Sequence, residues 1–448
     1  MGSIRGSHGA GRLSKQLKLG ILLAVAVLIS VSTWFYSDRI LKAEQVAYAA
    51  AHDIPRGNLS DLYPRWLGAR ELLNNRRNPY SPEITREIQQ GYYGRPLDPS
   101  RPHDPKDQQG FAYPVYVIFL LAPTVNLPFD EVRVGFRWLL IVLAVVSVWL
   151  WLRLLRWKPP CLEIAIYAVL IVGWLPMVQG IRLQQLTLLV AALFGLCTAC
   201  LASGWLFCAG GLLALATIKP QLAWPLVLWL LLWTVSEWRQ RWRFAFGFGL
   251  AMLLLFAGAE LILPGWLWMF ISGLGQYHQY TQNQSVLVWM FGTVIGRIFE
   301  AASVVGCAVV VWAARREPAA SNGFGWATAL VLALAAVVVP MFAPYNQILL
   351  APAILALIRS STSSAPILPA IRVARMVGGI LLAWPSGAAL GLCIAYLCQH
   401  GLTPEVRHQL WYMPFYSNFM VPVFLYGLAL ADTWMTRGRG LRDSAAAE

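Results

Sequence analysis

One polar stretch near the N-terminus holds the side chains best suited to acid–base chemistry. Residues 52–112 contain eight of the chain's 21 acidic residues and nine of its 35 basic residues. A carboxylate within hydrogen-bond reach of a substrate hydroxyl can accept its proton as a general base. We predict that this carboxylate is Asp61, the first residue of the segment DLYPRWLGARELLNNRRNPY. Aspartate is also a preferred N-cap, so helix capping is the competing interpretation of the same residue.

The composition of the chain indicates the elements that must position Asp61. Of 448 residues, 58% are hydrophobic and only 12% are charged, which suits a bilayer and not a soluble domain. The net charge of +14 comes from basic clusters between apolar segments. Such clusters mark the cytoplasmic loops of membrane proteins, so they predict topology and exclude a nucleic-acid partner. We therefore predict an all-α integral membrane protein in contact with membrane lipids.

Placing the basic clusters on the cytoplasmic side gives one consistent path through the membrane. We predict a cytoplasmic N-terminal tail (1–18), a first transmembrane helix (19–36), an extracytoplasmic loop (37–132), a transmembrane bundle (133–435) and a cytoplasmic C-terminal tail (436–448). The apolar runs predict about twelve transmembrane helices. The active site would then lie on the extracytoplasmic side, because the first loop does.

The first loop is predicted to be helical. Pro82 follows Ser81 and a glycine ends the segment at Gly94, which are start and stop signals for a short surface helix. LYPRWLGARELL, at positions 62–73, has apolar residues at helical spacing with arginines between them. The short, proline-bounded segment 113–128 predicts a re-entrant or interfacial piece. A second outer polar stretch is predicted at 264–299.

Neither cysteine nor histidine shows the spacing of a metal site. The seven cysteines lie at or within apolar segments, and Cys197-x-x-Cys200 stands in LFGLCTACLAS, which indicates helix packing. The six histidines are scattered along the chain. We expect neither a metal ion nor a cofactor.

An ordered series of short motifs resembles one enzyme family. The series comprises Asp61-Leu-Tyr63, Asn78-Pro79-Tyr80, Phe111-Ala-Tyr113-Pro114, Gln179-Gly180, Gln184-Gln185, Ile218-Lys219-Pro220-Gln221, Asn283-Gln284-Ser285 and Tyr345-Asn346-Gln347. It spans roughly residues 55–360 and resembles glycosyltransferase family 87. These are polytopic enzymes of the GT-C superfamily that use a polyprenyl-phosphate sugar, and they include mannosyltransferases dependent on polyprenol-phosphate-mannose. The resemblance implies a GT-C-type helical bundle with a helical first extracytoplasmic loop.

The resemblance also implies a reaction and its partners. A sugar, either a hexose such as mannose or a pentose, would move from a polyprenyl-phosphate-linked donor to a lipid or glycan acceptor at the outer face of a bacterial inner membrane. The family's base is an aspartate in the first extracytoplasmic loop, which is Asp61 here. Asp53 is the nearest rival and lies outside the matching series. One aspartate implies inversion at the anomeric carbon, because retention would require a second close carboxylate.

Two further groups of site residues are predicted. Lys219, Arg297 and Arg182 are the expected ligands of the donor phosphate. A lysine beside a helix break in apolar sequence is costly without a partner, although it can instead extend to the membrane interface. For Arg297 the alternative is an ion pair with Glu300, and for Arg182 it is an ordinary loop charge. The resemblance implies that these residues contact the substrates: Tyr63, Tyr80, Tyr113, Gln184, Gln221, Asn283, Gln284, Tyr345 and Asn346.

A carrier or flippase for lipid-linked sugars is the main alternative function. Broken helices and buried charges are also typical of transporters. The sequence shows no evident internal repeat, which disfavours that alternative. A polar outer loop with an isolated aspartate has no obvious role in transport either.

Overall fold

The computed structural model of the protein describes residues 5–57, 60–98, 100–281, 284–340, 343–362, 368–398 and 404–445. The α-helices are Arg5–Phe35, Lys42–Ala51, Tyr63–Asn75, Pro82–Tyr93, Val117–Leu121, Phe129–Leu154, Cys161–Gly173, Leu175–Arg182, Leu186–Ala202, Leu206–Ala216, Pro220–Ser236, Trp238–Ile262, Trp266–Thr281, Val286–Ala314, Asn322–Val338, Ala351–Ser361, Pro369–Leu397, Pro404–Ser417 and Val421–Ala445. A π-helical turn joins the first two, and 3-10 turns cover Ala122–Thr124, Pro344–Leu350 and Asn418–Met420. These ranges contain no strand, so the all-α prediction is confirmed.

Six helical segments within the described ranges are long and apolar enough to cross a membrane. They are Lys15–Ala51, Phe129–Leu154, Trp238–Ile262, Val286–Ala314, Pro369–Leu397 and Gln409–Met435. The pair Cys161–Gly173 and Leu175–Arg182, bent by 58°, would make a seventh if it forms one span. The protein is thus a helical membrane protein, but the predicted number of about twelve spans is not confirmed. Several predicted spans are shorter than the roughly 20 residues that cross a hydrocarbon core, among them the 11-residue helix Leu206–Ala216.

Two stretches differ from the sequence expectation. The first helix, predicted to end at residue 36, continues through the π-helical turn Tyr36–Leu41 to Ala51. The stretch 264–299, predicted to be polar and outward-facing, contains the helix Trp266–Thr281 and the first half of Val286–Ala314. The Ser285 hydroxyl caps this second helix by accepting a hydrogen bond from the Val288 N–H. The first turns of the helix are apolar (VLVWMF), in contrast to the polar residues that precede it. Gly292, with φ of 76°, kinks it where only glycine is unstrained.

Both helices predicted in the first loop are present. Pro82–Tyr93 begins where the Ser81 hydroxyl accepts a hydrogen bond from the Ile84 N–H, and it ends at the left-handed Gly94. Tyr63–Asn75 buries Trp66, whose Nε1 donates to the Thr124 carbonyl at 3.1 Å. The segment 113–128 forms a helix of only five residues, Val117–Leu121, which is too short to span.

Close helix packing fixes the segment that leads to Lys219. A Cβ atom added at Gly210 would lie 2.3 Å from the Phe244 carbonyl oxygen, and one at Gly247 would lie 2.2 Å from that of Phe207. The helices Leu206–Ala216 and Trp238–Ile262 therefore approach backbone to backbone, as small residues allow in membrane bundles. Lys219 lies three residues after Ala216, the last residue of the first of these two helices.

Candidate active site

Backbone hydrogen bonds hold Asp61 in place, and its carboxylate contacts a glutamine side chain. Its N–H donates to the Leu183 carbonyl at 2.9 Å, and its own carbonyl accepts from Arg65 Nη1 at 2.8 Å. The carboxylate accepts a hydrogen bond from Gln185 Nε2. The helix Tyr63–Asn75 starts without a side-chain cap, so Asp61 does not perform the capping role that its type also suggested.

A hydrogen-bond chain connects this carboxylate to a buried lysine. Gln185, which is 4% exposed, donates to Asp61 and accepts from Lys219 Nζ at 3.0 Å. Lys219 also donates to Thr187 Oγ1 at 2.5 Å, and its Nζ lies 5.1 Å from the centre of the Tyr345 ring. Because Lys219 is 3% exposed and has these partners, it does not extend to the membrane interface. One amide thus holds a carboxylate and an ammonium group in a fixed relation.

Gln185 and Lys219 each stand at the start of a helix. Gln185 is the N-cap residue of Leu186–Ala202, and Lys219 is the N-cap residue of Pro220–Ser236. Pro220 suits the first helical position because the N–H that proline lacks has no partner within the helix there. The positive ends of two helix dipoles therefore lie beside the two side chains, an arrangement that favours a negatively charged group.

These side chains border a cavity of about 300 Å³, the lower end of the range for small-molecule sites. Its charged lining residues are two carboxylates, Asp61 and Asp107, and two cations, Arg65 and Lys219. The Arg65 guanidinium carbon lies 4.6 Å from the centre of the Tyr113 ring. The other polar lining residues are Gln109, Gln185, Gln221, Tyr277 and Tyr345. The formal charges of the described lining residues cancel.

The cavity disfavours charged carboxylates, and its cations oppose that effect only in part. Burial raises the pKa of Asp61 above its ordinary 3.8, while Arg65, Lys219 and the Gln185 hydrogen bond act in the opposite direction. Burial likewise raises the pKa of Asp107, against hydrogen bonding from Gln109. A raised pKa makes Asp61 a stronger proton acceptor than a solvated aspartate.

The structure brings five of the predicted site residues to this cavity: Asp61, Tyr113, Lys219, Gln221 and Tyr345. Two other predicted residues do not line the cavity but form hydrogen bonds with residues next to it. The amide oxygen of the buried Gln184 accepts from the Ser60 hydroxyl at 2.6 Å, and that of the buried Asn346 accepts from Thr187 Oγ1 at 3.1 Å. They position the neighbours of Asp61 and of Lys219.

Two predicted substrate residues are built into the first loop. Tyr63 packs edge-on against Phe129, with ring centres 4.8 Å apart. The Tyr80 hydroxyl donates to the Tyr113 carbonyl at 2.7 Å, so Tyr80 acts on the cavity through Tyr113.

The other predicted residues that the structure describes lie elsewhere. Arg297 pairs with Glu300 at 3.1 Å, and its side chain is 71% exposed, so it is not brought to Asp61. Arg182 lines a neighbouring cavity, where it pairs with Asp38 at 2.8 Å. Gln284 is exposed, and Asn283 lies outside the described residues. Asp53, the rival base, is exposed in a turn with φ of 52° and does not line the cavity.

Five polar residues of the cavity were not predicted as site residues: Arg65, Asp107, Gln109, Gln185 and Tyr277. Arg65 lies one helical turn after Asp61, and this spacing could have indicated it. Gln185 adjoins the predicted Gln184 and precedes a helix. Asp107 stands in a loop, where no local pattern marks it. Within the described residues no three histidine, cysteine, aspartate or glutamate side chains come together as a metal site.

Comparison with known proteins gives one finding. A family model described as glycosyltransferase family 87 matches residues 111–344, just over half of the chain. The matched range contains Tyr113, Lys219 and Gln221, whereas Asp61 precedes it and Tyr345 follows it. No curated protein and no solved structure matches the chain.

Proposed function

The chain belongs to glycosyltransferase family 87, and on this basis we propose that it moves a sugar from a polyprenyl-phosphate donor to a lipid or glycan hydroxyl. The sugar is a hexose such as mannose, or a pentose. The reaction takes place at the outer face of a bacterial inner membrane, with both termini in the cytoplasm. The basic clusters of the sequence support this orientation, since they favour the cytoplasmic side.

The observation that carries the proposal is the chain Asp61–Gln185–Lys219 at the edge of one cavity. Sugar transfer needs a group that accepts a proton from the attacking hydroxyl. It also needs a group that stabilises the phosphate as it leaves. A carboxylate and an ammonium group held by the same amide meet both needs within one site.

The reaction is a single displacement. The acceptor oxygen forms a bond to the anomeric carbon while Asp61 takes the hydroxyl proton. The bond from that carbon to the phosphate oxygen breaks, and the lipid phosphate leaves with the bonding electrons. Lys219 and the positive ends of the two helices stabilise the charge that develops on it, and such fixed groups act strongly where water is excluded. Attack opposite the leaving group inverts the anomeric configuration.

The test uses the full chain in proteoliposomes with radiolabelled polyprenyl-phosphate hexoses and pentoses and a native lipid extract. Wild type should form a labelled glycoside. Asp61→Asn should reduce the rate by about 10²–10⁴-fold, the usual contribution of a general base. Asp53→Asn is the matched control, because Asp53 is exposed and away from the cavity. Proton NMR of the product gives the anomeric configuration.

Three results would contradict the proposal. Full transfer by Asp61→Asn, with loss in Asp53→Asn or Asp107→Asn, would move the base to that residue. Retained configuration would exclude the single displacement. Movement of the lipid-linked sugar across the bilayer without a new glycosidic bond would establish the flippase instead.

A further inference from the structure

A second cavity, of about 370 Å³, adjoins the Asp61 cavity. Leu183 and Gln184 line it, and the Leu183 carbonyl is the acceptor for the Asp61 N–H. Five cationic side chains line this second cavity, whereas Asp38 is the one carboxylate among its described lining residues. The five are Lys42, Arg56, Arg133, Arg137 and Arg182. We call it the cationic cavity, in contrast to the Asp61 cavity, whose charges cancel.

Asp38 cannot balance these charges. It pairs with Arg182 Nε at 2.8 Å and more distantly with Arg137 Nη2 at 3.7 Å. Arg133 has its own partner, Asp130, at 3.2 Å. Arg56 donates to a neutral acceptor, the amide oxygen of Gln45. The Arg56 Nε is buried and finds no acceptor among the described residues. Arg56 and Arg182 are partly buried, and such cations are costly when the charges beside them are in excess and no anion joins them.

The surroundings of the cationic cavity indicate which kind of anion fits. Leu175 lines it, and the preceding Gly173 and Trp174 line an apolar cavity of about 230 Å³. The break between the two helices of the bent pair therefore separates a cationic wall from an apolar one. A free phosphate would use only the first wall. A lipid phosphate would use both, because arginines bind its oxygens while its hydrocarbon chain fills the apolar cavity.

We propose that the cationic cavity binds the phosphate group of a lipid whose hydrocarbon chain lies in the apolar cavity beyond Trp174. The lipid is a membrane phospholipid, since the proposed function places the donor phosphate beside Lys219 in the other cavity. The inference does not depend on the role of Asp61, since binding requires no turnover.

Binding is measured on the intact, detergent-solubilised chain by native mass spectrometry and isothermal titration calorimetry. The probes are farnesyl phosphate and dioctanoyl phosphatidylglycerol, each compared with its uncharged counterpart, farnesol or dioctanoylglycerol. The phosphate lipids should bind at least tenfold more tightly than the uncharged ones, and higher salt should reduce the difference. Equal or tighter binding of phosphatidylglycerol, weakened in the variants below, supports a membrane phospholipid. Tighter binding of farnesyl phosphate that the same variants weaken would place the donor lipid in this cavity and overturn the assignment.

Two variants remove cations without touching the Asp61 cavity. Arg137→Gln and Arg56→Gln should each weaken the binding of phosphate lipids by roughly ten- to a hundredfold, the usual effect of losing a charged hydrogen bond. Arg153→Gln is the matched control, because Arg153 is exposed at the opposite end of the helix that carries Arg137. Asp61→Asn should retain binding even where it abolishes transfer, which separates this inference from the proposed function. Equal affinity for the alcohols, or wild-type affinity in both folded variants, would overturn it.

Discussion

Gln185→Glu tests whether the amide between Asp61 and Lys219 sets the charge state of the base. In the wild type this amide donates to the Asp61 carboxylate and accepts from Lys219. The substitution keeps the shape of the side chain but replaces the donor nitrogen with a carboxylate oxygen. Asp61 then loses a hydrogen bond and faces a second negative charge, and both changes favour its protonated form.

The magnitude follows from the contact. Two unit charges 4 Å apart repel by about 4 kcal/mol at an effective dielectric constant near 20. A lost hydrogen bond to a charged group adds about 1.5–3 kcal/mol. Attraction between the new carboxylate and Lys219 offsets part of this sum. A change of ~1.4 kcal/mol corresponds to one pKa unit. If one third of the repulsion remains after this offset, the apparent pKa on the acid side of the activity profile rises by about one unit.

The measurement is kcat/KM against pH in proteoliposomes. Gln90→Glu makes the same change at an exposed position on the helix Pro82–Tyr93 and should leave the profile unchanged. Thermal unfolding establishes that both variants are folded. If the profile of folded Gln185→Glu superimposes on that of wild type, the Asp61–Gln185 contact does not control the base, and the assignment of Asp61 fails with it.

Three further predictions concern pH, the leaving group and packing. Burial raises the pKa of Asp61, so kcat/KM should decline as pH falls through a value above 3.8, and full activity at pH 4 would contradict this. Lys219→Met should lower kcat by about 10²–10³-fold, whereas Arg297→Met should leave it unchanged, because that side chain is exposed and paired with a glutamate. Gly210→Ala should destabilise the protein by about 1–3 kcal/mol, seen as a lower Tm, because its Cβ would strike a carbonyl oxygen 2.3 Å away. Gly211→Ala, with open space at the same atom, should not.

Local signals predicted local structure well. The helix Pro82–Tyr93 follows from Ser81, Pro82 and Gly94, because capping and left-handed termination depend on the backbone within a few residues. The apolar composition likewise predicted a helical membrane protein. The number of spans did not follow, because hydropathy does not show where a helix bends or stops short. The bend near Trp174 depends on packing that no local pattern records.

Local signals also indicated some residues of the candidate site, but they did not indicate how these residues are connected. Asp61 stands in a recognisable motif, and Lys219 in an unusual apolar setting. Gln185 connects these two residues, but it lies 124 positions from Asp61 in the sequence. Only the tertiary fold brings the two side chains together. Arg297 shows the converse. Its position after a polar stretch suggested the site, but the local ion pair with Glu300 holds it at the surface.

The charge balance of the Asp61 cavity bears on how Lys219 acts. A polyprenyl-phosphate sugar carries one negative charge on its phosphate, and the leaving group gains a second as the bond breaks. A cavity whose charges already cancel gives the bound donor little net attraction, but its fixed ammonium group still faces the charge that develops. Stabilisation confined to the transition state raises kcat without tightening ground-state binding. Lys219→Met should therefore lower kcat far more than it raises the KM for the donor, whereas loss of binding energy shared by both states would raise KM alone.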